Sequence, residues 1–239
     1  MTAAPLHPEE EQRLEALRGT GLLDTAPEAA FDTTVASAKQ LADTPIALFS
    51  LVDADRQWFK SAHGLDATET SRDVAFCAHT IHQPHALIVP DATADERFAT
   101  NPLVTGEPHI RHYAGFPVKG ANGLPVGTLC VIDRRARTLS TEQISGLRML
   151  ANRLEIDVAE RTHAAYQRMR TKRDRVRVAK TLNVELAATT QGLLAAQTAL
   201  RRTELDDEQR MILAACMDTT AHLATLVDHV VLSVENLEG

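Results

Sequence analysis

The sequence predicts an α+β domain, an antiparallel sheet flanked by helices, followed by a long coiled-coil helix and an antiparallel helical hairpin. Two such hairpins would make a dimeric four-helix bundle. Three observations predict this. Apolar residues recur at helical spacing before residue 42 and again after residue 140. Between residues 46 and 133, short β-branched and aromatic runs alternate with turn residues. No proline interrupts the chain from Ser140 to Gly239, so nothing in that stretch removes a helical hydrogen bond.

Pro8 to Thr20 reads as the first helix. Pro8 suits a first helical position, Glu9, Glu10 and Glu11 suit the positive end of the dipole, and Leu14, Leu17 and Leu22 give an apolar side. Pro27 opens a second helix to about Ala42, with Phe31, Val35, Ala38 and Leu41 on one face, and Pro45 ends it. Ile46 to Asp53 and Gln57 to Ala62 form a hairpin around the Asp53-Ala54-Asp55-Arg56 turn. The middle is less regular: Arg72 to His82 contains FCAHTI, Leu87 to Val89 is a brief strand, and Ala94 to Ala99 is a short helix. His109 to Val118 and Val126 to Asp133 are strands joined by the Gly120-Ala121-Asn122-Gly123 turn.

Ser140 and Gln143 form a capping box that starts the long helix. Leu147, Leu150, Leu154 and Val158 follow at the spacing of a coiled-coil seam, which weakens towards Met169 and Val176. The helix runs to about Arg202, and Thr203 to Gln209 makes the turn, with Asp206 and Gln209 as a second capping box. Cys216, Thr220, Leu223, Val227, Val230 and Val234 then form an apolar stripe. A lone two-helix hairpin cannot bury both of its stripes. Homodimerisation is therefore expected, through Leu147, Leu150, Leu154, Leu186, Leu193, Cys216, Leu223, Val227 and Val230.

The chain has 239 residues, 44% of them apolar and 24% charged, which fits one globular domain plus an extension. The net charge of −7 makes nucleic acid an unlikely partner. No apolar run reaches the ~20 residues of a membrane span, and the N-terminus is not a signal peptide, so a cytoplasmic location is expected. Cys77, Cys130 and Cys216 are widely spaced and odd in number, which fits free thiols. No metal-ligand spacing is present, and the residues name no cofactor.

Several motifs occur in order: GLLDTAPEAAFD, PIALFSLVDADRQWFKSAHGLD, ETSRDVAFCAHTI, VPDATADERFATNPLVTGEPHIRHYAGFPV and GTLCVIDR. Together they resemble a GAF domain of the subfamily found ahead of histidine kinases and diguanylate cyclases, over roughly residues 10 to 155. The resemblance implies a six-stranded antiparallel sheet with a small-molecule pocket on one face, without naming a ligand. Trp58, Phe59, Phe98 and Tyr113 lie in segments that line or rim that pocket in the resembled domain, and ordinary core packing would also account for them.

The segment VELAATTQGLL, from Val184 to Leu194, resembles the first helix of the dimerisation and phosphoacceptor hairpin of sensor histidine kinases, which reads H-E-L-R-T-P-L-N-G-I-L. Val184 stands at the phosphoacceptor position and offers no nucleophile. Glu185 matches the assisting carboxylate, and Ala188 replaces the residue that positions water for phosphatase action. The implied division is a sensory domain over residues 1–155, a connecting helix over 140–180 and a degenerate hairpin over 181–239.

Cys77 and His79 would share one face of a strand but diverge on a helix. Aligned, they could bind metal or a chromophore, or act as a redox sensor; otherwise Cys77 is a small buried hydrophobe. Glu107, His109, Arg111 and His112 could greet an anionic ligand or form a solvated loop. Arg168 to Lys180 holds seven basic residues against one acidic one, most simply the solvated face of a linker helix.

These readings converge on a non-catalytic cytoplasmic signalling protein. A GAF sensor would modulate a dimeric hairpin that docks a response regulator or a histidine kinase. The alternatives are a sensory fragment of a larger active histidine kinase, or a chromophore or redox sensor.

Overall fold

The computed structural model describes residues 2–201, 205–207, 209–217, 219–221 and 225; within the long helix, the side chains of 174–176, 178–179, 181–190, 196 and 199 lie outside that description. The chain divides into two compact units, Met1–Tyr166 and Gln167–Gly239.

In the first unit, α1 (Glu10–Gly19) and α2 (Ala29–Ala42) precede β1 (Ile46–Val52) and β2 (Arg56–His63). A three-residue strand β3 (Glu69–Ser71) follows, then α3 (Phe76–Thr80), β4 (Leu87–Val89), α4 (Pro102–Thr105), β5 (His112–Lys119) and β6 (Pro125–Asp133). The strands form one sheet in the order β3-β2-β1-β6-β5-β4, with every pairing antiparallel. Both expected hairpins, β1–β2 and β5–β6, are present. β3 was not legible in advance, because its sequence, Glu-Thr-Ser, has no apolar residue to mark a strand.

All seven residues of β1 are buried, because the sheet is covered on both faces. Ala47, Phe49 and Leu51 face one core with Leu17, Phe31, Val35 and Leu129. Ile46, Leu48 and Val52 face a second core with Phe76, Phe98, Tyr113 and Cys130. The strand pleat thus sorts one sequence run into two chemically different compartments.

A long helix, α5 (Thr141–Leu200), begins in this unit. The Ser140 and Gln143 capping box forms as expected: the Ser140 N–H donates to Gln143 Oε1 at 2.9 Å and the Gln143 N–H to Ser140 Oγ at 3.2 Å. Leu147, Ala151, Leu154 and Val158 are fully buried in the first core, with Leu150 packed at its edge. This corrects the coiled-coil seam expected at Leu147, Leu150 and Leu154. Leu147 and Leu154 are taken up by the first core of the same chain, since an apolar helical face has no preference between a partner helix and a nearby core.

Two further expectations give way to local chemistry. Ala94 to Ala99 does not form a helix but a run of turns, with the Phe98 and Ala99 N–H groups both donating to Asp95 O. The helix forms at α4, where Asn101 accepts from the Leu103 N–H at 2.9 Å and Pro102 occupies the first turn. The strand expected from His109 starts at His112, because His109 has a φ of 61° and cannot extend the sheet.

In the second unit, α5 ends at Leu200 and helical residues 209–217 and 219–221 follow. The second capping box is also present, with the Gln209 N–H donating to Asp206 Oδ1 at 2.8 Å. Gln197 Nε2 donates to Thr220 Oγ1 at 2.8 Å, and both residues are buried, so the two helical segments face each other there. Leu223, Val227 and Val230 lie outside the described residues, as do the side chains of Val184, Glu185, Leu186 and Ala188. No described helix is long and apolar enough to cross a membrane.

Candidate functional site

The second core of the first unit gathers most of the candidate residues. α3 is helical, so the Cys77 and His79 alignment expected on a strand does not form. Cys77 turns inward, its Sγ 3.8 Å from Sγ of Cys130 on β6. His79 stays partly exposed, its Nε2 3.1 Å from the Thr2 carbonyl and its ring edge-on to Phe98 at 5.0 Å. A joint Cys77–His79 site is therefore excluded by the turn of the helix.

Around the sulfurs, the Tyr113 hydroxyl donates to Cys77 Sγ at 3.3 Å and shares a 2.7 Å hydrogen bond with Thr80 Oγ1. Gly115 makes that reach available: a Cβ there would lie 2.1 Å from the Tyr113 hydroxyl oxygen and 2.7 Å from Thr80 Oγ1. Phe76 stacks on Phe98 at 3.9 Å and meets Tyr113 at 5.1 Å. Phe59, Phe98 and Tyr113 thus share one compartment, filled by their own rings. Trp58, the residue before Phe59 on the strand, necessarily faces the other way and packs against the first core. The expected aromatic group is split in two by the pleat.

The sequence pattern of the GAF domain matches residues 26–158, more than half of the chain. The chain belongs to the GAF family. A cyclic di-GMP phosphodiesterase of Pseudomonas aeruginosa is 46% identical over 136 residues, which cover 56% of this chain and 23% of that protein. The match thus spans under a quarter of that relative's length. The GAF domain of an Acinetobacter phosphoenolpyruvate-protein phosphotransferase has 20% identity and a TM-score of 0.48, over 64% of this chain and 95% of that one. A domain of a two-component sensor histidine kinase protein from Sinorhizobium meliloti 1021 has 18% identity and a TM-score of 0.47, over 61% and 99%.

Within this GAF domain, the two inner thiols are electrostatically unequal. Burial pushes the Cys77 thiol up, but the polar groups facing it, Cys130 first and then Ser50, Tyr113 and Thr128, outweigh it and hold the group below the usual thiol range. Cys130 is pushed well up, first by Cys77 and then by burial. Burial also pushes Tyr113 up, reinforced by the two sulfurs. Ser50, Thr80 and Thr128 had no part in the expected site. The only signal for Ser50 and Thr128 is a hydroxyl residue inside an otherwise apolar strand, IALFSLV or PVGTLCVID.

The polar cluster expected at Glu107, His109, Arg111 and His112 does not converge. His109 and Glu107 form an exposed pair at 3.6 Å, while Arg111 donates to the Val104 carbonyl at 2.9 Å. His112 is fully buried, with neither ring nitrogen in hydrogen-bonding geometry although backbone of Val89 and Arg137 lies near. A cleft of about 670 Å³ at the end of β6 is lined by Asp43, Asp133, Arg134, Arg135 and Arg137. Its Arg137 guanidinium is occupied by Asp133 Oδ2 at 3.0 Å and by the carbonyls of Ala42 and Asp43 at the end of α2.

The second unit has an apolar groove of about 420 Å³, lined by Leu193, Gln197, Leu200, Leu205, Gln209, Ile212, Leu213 and Cys216. Leu193, Leu200 and Ile212 are 44%, 48% and 55% exposed, so two of the expected dimer residues, Leu193 and Cys216, border an open apolar surface. Among the described residues, no group of three or more His, Cys, Asp or Glu could hold a metal ion.

Proposed function

We propose that this chain is a sensory signalling protein in which the state of the GAF domain is passed through α5 to a dimeric helical hairpin. The observation that carries the reading is the double membership of α5. Its first turns are a wall of the GAF core, with Leu147, Ala151, Leu154 and Val158 buried. Its last turns expose Leu193 and Leu200 beside Ile212. A small-molecule ligand or covalent change in the GAF core would shift that wall, and packed helices respond by moving between discrete arrangements. Exposed apolar surface at the far end is the kind of face a second copy covers.

The hairpin would then dock a response regulator or a histidine kinase without transferring phosphate itself. Val184 supplies no phosphoacceptor atom, and Glu185 and Ala188 lack the histidine they would serve. The test uses the full chain as bait against bacterial lysate, beside a variant with Leu200→Asp and Ile212→Asp. Sedimentation of both chains measures the dimer. The reading stands if the native chain is a dimer that recovers a receiver-domain protein or kinase and the variant is a monomer that loses it. A monomeric native chain at micromolar concentration removes it.

A second output is favoured by the 46% identity to the cyclic di-GMP phosphodiesterase. On this reading the GAF domain informs a separate protein that processes a cyclic dinucleotide. Recovery of such an enzyme in the same experiment, in place of a receiver or kinase, would select it.

A further inference from the structure

Four polar groups meet around one sulfur inside the second core, where an ordinary structural cysteine would have apolar neighbours. Cys130 Sγ is 3.8 Å from Cys77 Sγ, and the Tyr113 hydroxyl donates to Cys77 at 3.3 Å while bonded to Thr80. The Ser50 and Thr128 hydroxyls come from paired positions on β1 and β6. They act on the same sulfur, and neither has a hydrogen-bond partner of regular geometry. Buried hydroxyls are ordinarily satisfied. Two left over beside a thiol make a cradle for a negative charge or for an oxygen carried on sulfur.

We propose that Cys77 and Cys130 form a reversible redox site for small hydroperoxides, with Cys77 as the attacking sulfur and Cys130 as the resolving one. In the first step, Cys77 sulfur attacks a peroxide oxygen. The O–O bond breaks, an S–O bond forms, and the departing oxygen leaves as water (or an alcohol) with the thiol proton. In the second, Cys130 sulfur attacks Cys77 sulfur. The S–O bond breaks, the S–S bond forms, and water leaves with the Cys130 proton. Two thiols lose two electrons, and the peroxide gains them.

The geometry sets the roles and the oxidant. Tyr113, Ser50 and Thr128 converge on Cys77 and favour its thiolate, the nucleophilic form. The same hydroxyls would hold the sulfenic oxygen once it forms. Cys130 stands close enough that a small movement of α3 brings the sulfurs to the ~2.05 Å of a disulfide. Both sulfurs are buried, with Cys77 1% and Cys130 0% exposed, which selects a small uncharged oxidant such as hydrogen peroxide over a bulky disulfide. Cys216, exposed in the other unit, serves as an internal control. The proposal does not depend on the hairpin or on any partner.

The test treats the full-length reduced chain with hydrogen peroxide, then denatures it in an alkylating reagent and maps the peptides. The expected result is a Cys77–Cys130 disulfide that a dithiol reductant reverses. The Cys130→Ser variant should accumulate a sulfenic acid on Cys77 that dimedone traps, whereas Cys77→Ser should leave Cys130 unlabelled. Tyr113→Phe should slow disulfide formation at neutral pH several-fold. Cys77 and Cys130 both fully alkylated under peroxide that has oxidised Cys216 would overturn the site. Dimedone labelling of Cys130 in Cys77→Ser would overturn the assignment of roles. The native chain alone decides the first question, even where a variant fails to fold.

Discussion

Arg13 places its guanidinium, fully buried, 2.6 Å from the Val52 carbonyl at the end of β1. On the same side chain, Nη2 and Nε bond the two oxygens of Glu10, which also receives Arg72 at 2.6 Å. Arg72 donates in turn to the Asp53 carbonyl in the β1–β2 turn at 2.9 Å. Glu10, Arg13 and Arg72 thus tie α1 to the end of β1 and to the β1–β2 turn. Replacing Arg13 with Met strips Val52 of its partner and leaves Glu10 with Arg72 and the His7 N–H. The expected cost is about 3 kcal/mol, the lower end for breaking a buried pair because a partner remains. Urea unfolding followed by Trp58, the sole tryptophan, measures it.

Glu10 also sets a pH dependence. Burial pushes its carboxyl up, but the hydrogen bonds from Arg13 and Arg72 outweigh this and hold it well below the usual carboxylate range. A folded-state pKa below the unfolded one means that the unfolded chain takes up the proton first. The contribution is therefore complete above the ordinary value of about 4.3 and is lost progressively as the pH falls below it. Stability measured from pH 6 down to pH 3 should fall less steeply in Glu10→Gln than in the native chain. An unchanged slope would show that other groups carry the acid limb.

Gly115→Ala tests how the sulfur cradle is held. The added Cβ would collide with the Tyr113 hydroxyl, 2.1 Å away, and with Thr80 Oγ1. The Thr80–Tyr113 hydrogen bond should break and the tyrosine ring should shift. The expected outcome is a loss of about 1–3 kcal/mol, as for overpacking in a well-filled core, together with a changed tyrosine signal in near-ultraviolet circular dichroism. An unperturbed spectrum would mean that the ring does not depend on this glycine.

Leu154→Ala separates a core wall from a dimer seam. Leu154 is fully buried in the first core, so truncation should cost about 2–5 kcal/mol of GAF-domain stability. That cost should be the same at all protein concentrations and leave the oligomeric mass unchanged in sedimentation. A loss that grows on dilution would instead place this leucine between two chains.

Most elements of the GAF domain were legible, because their signals are local. Pro27 and Pro45 bracket α2, Ser140 announces α5 with its own cap, and the Gly120–Gly123 turn declares the β5–β6 hairpin. The destination of an apolar stripe is not local. Leu147, Leu150 and Leu154 have coiled-coil spacing yet pack on the core of their own chain, since periodicity reports that a face is buried and says nothing of what buries it. The thiol pair was illegible for a related reason. Cys77 and Cys130 are separated by 53 residues, and the packing of α3 on β6, with Ser50 opposite Thr128 in the sheet register, brings their surroundings together. His79 drew attention through sequence proximity to Cys77, and a single helical turn removed it.

Because α5 supplies part of the GAF core as far as Val158, the place to cut and splice this protein is not the end of its last strand. A chimera joined just after Asp133 would leave the sheet without one of its walls, whereas a joint beyond Val158 keeps the sensor whole. From there the number of residues inserted becomes a dial. Each one turns whatever follows by about 100° around the helix axis and advances it by about 1.5 Å. Fusions that differ by a single residue should therefore present a grafted output on different sides, and only lengths near whole turns should preserve its phase.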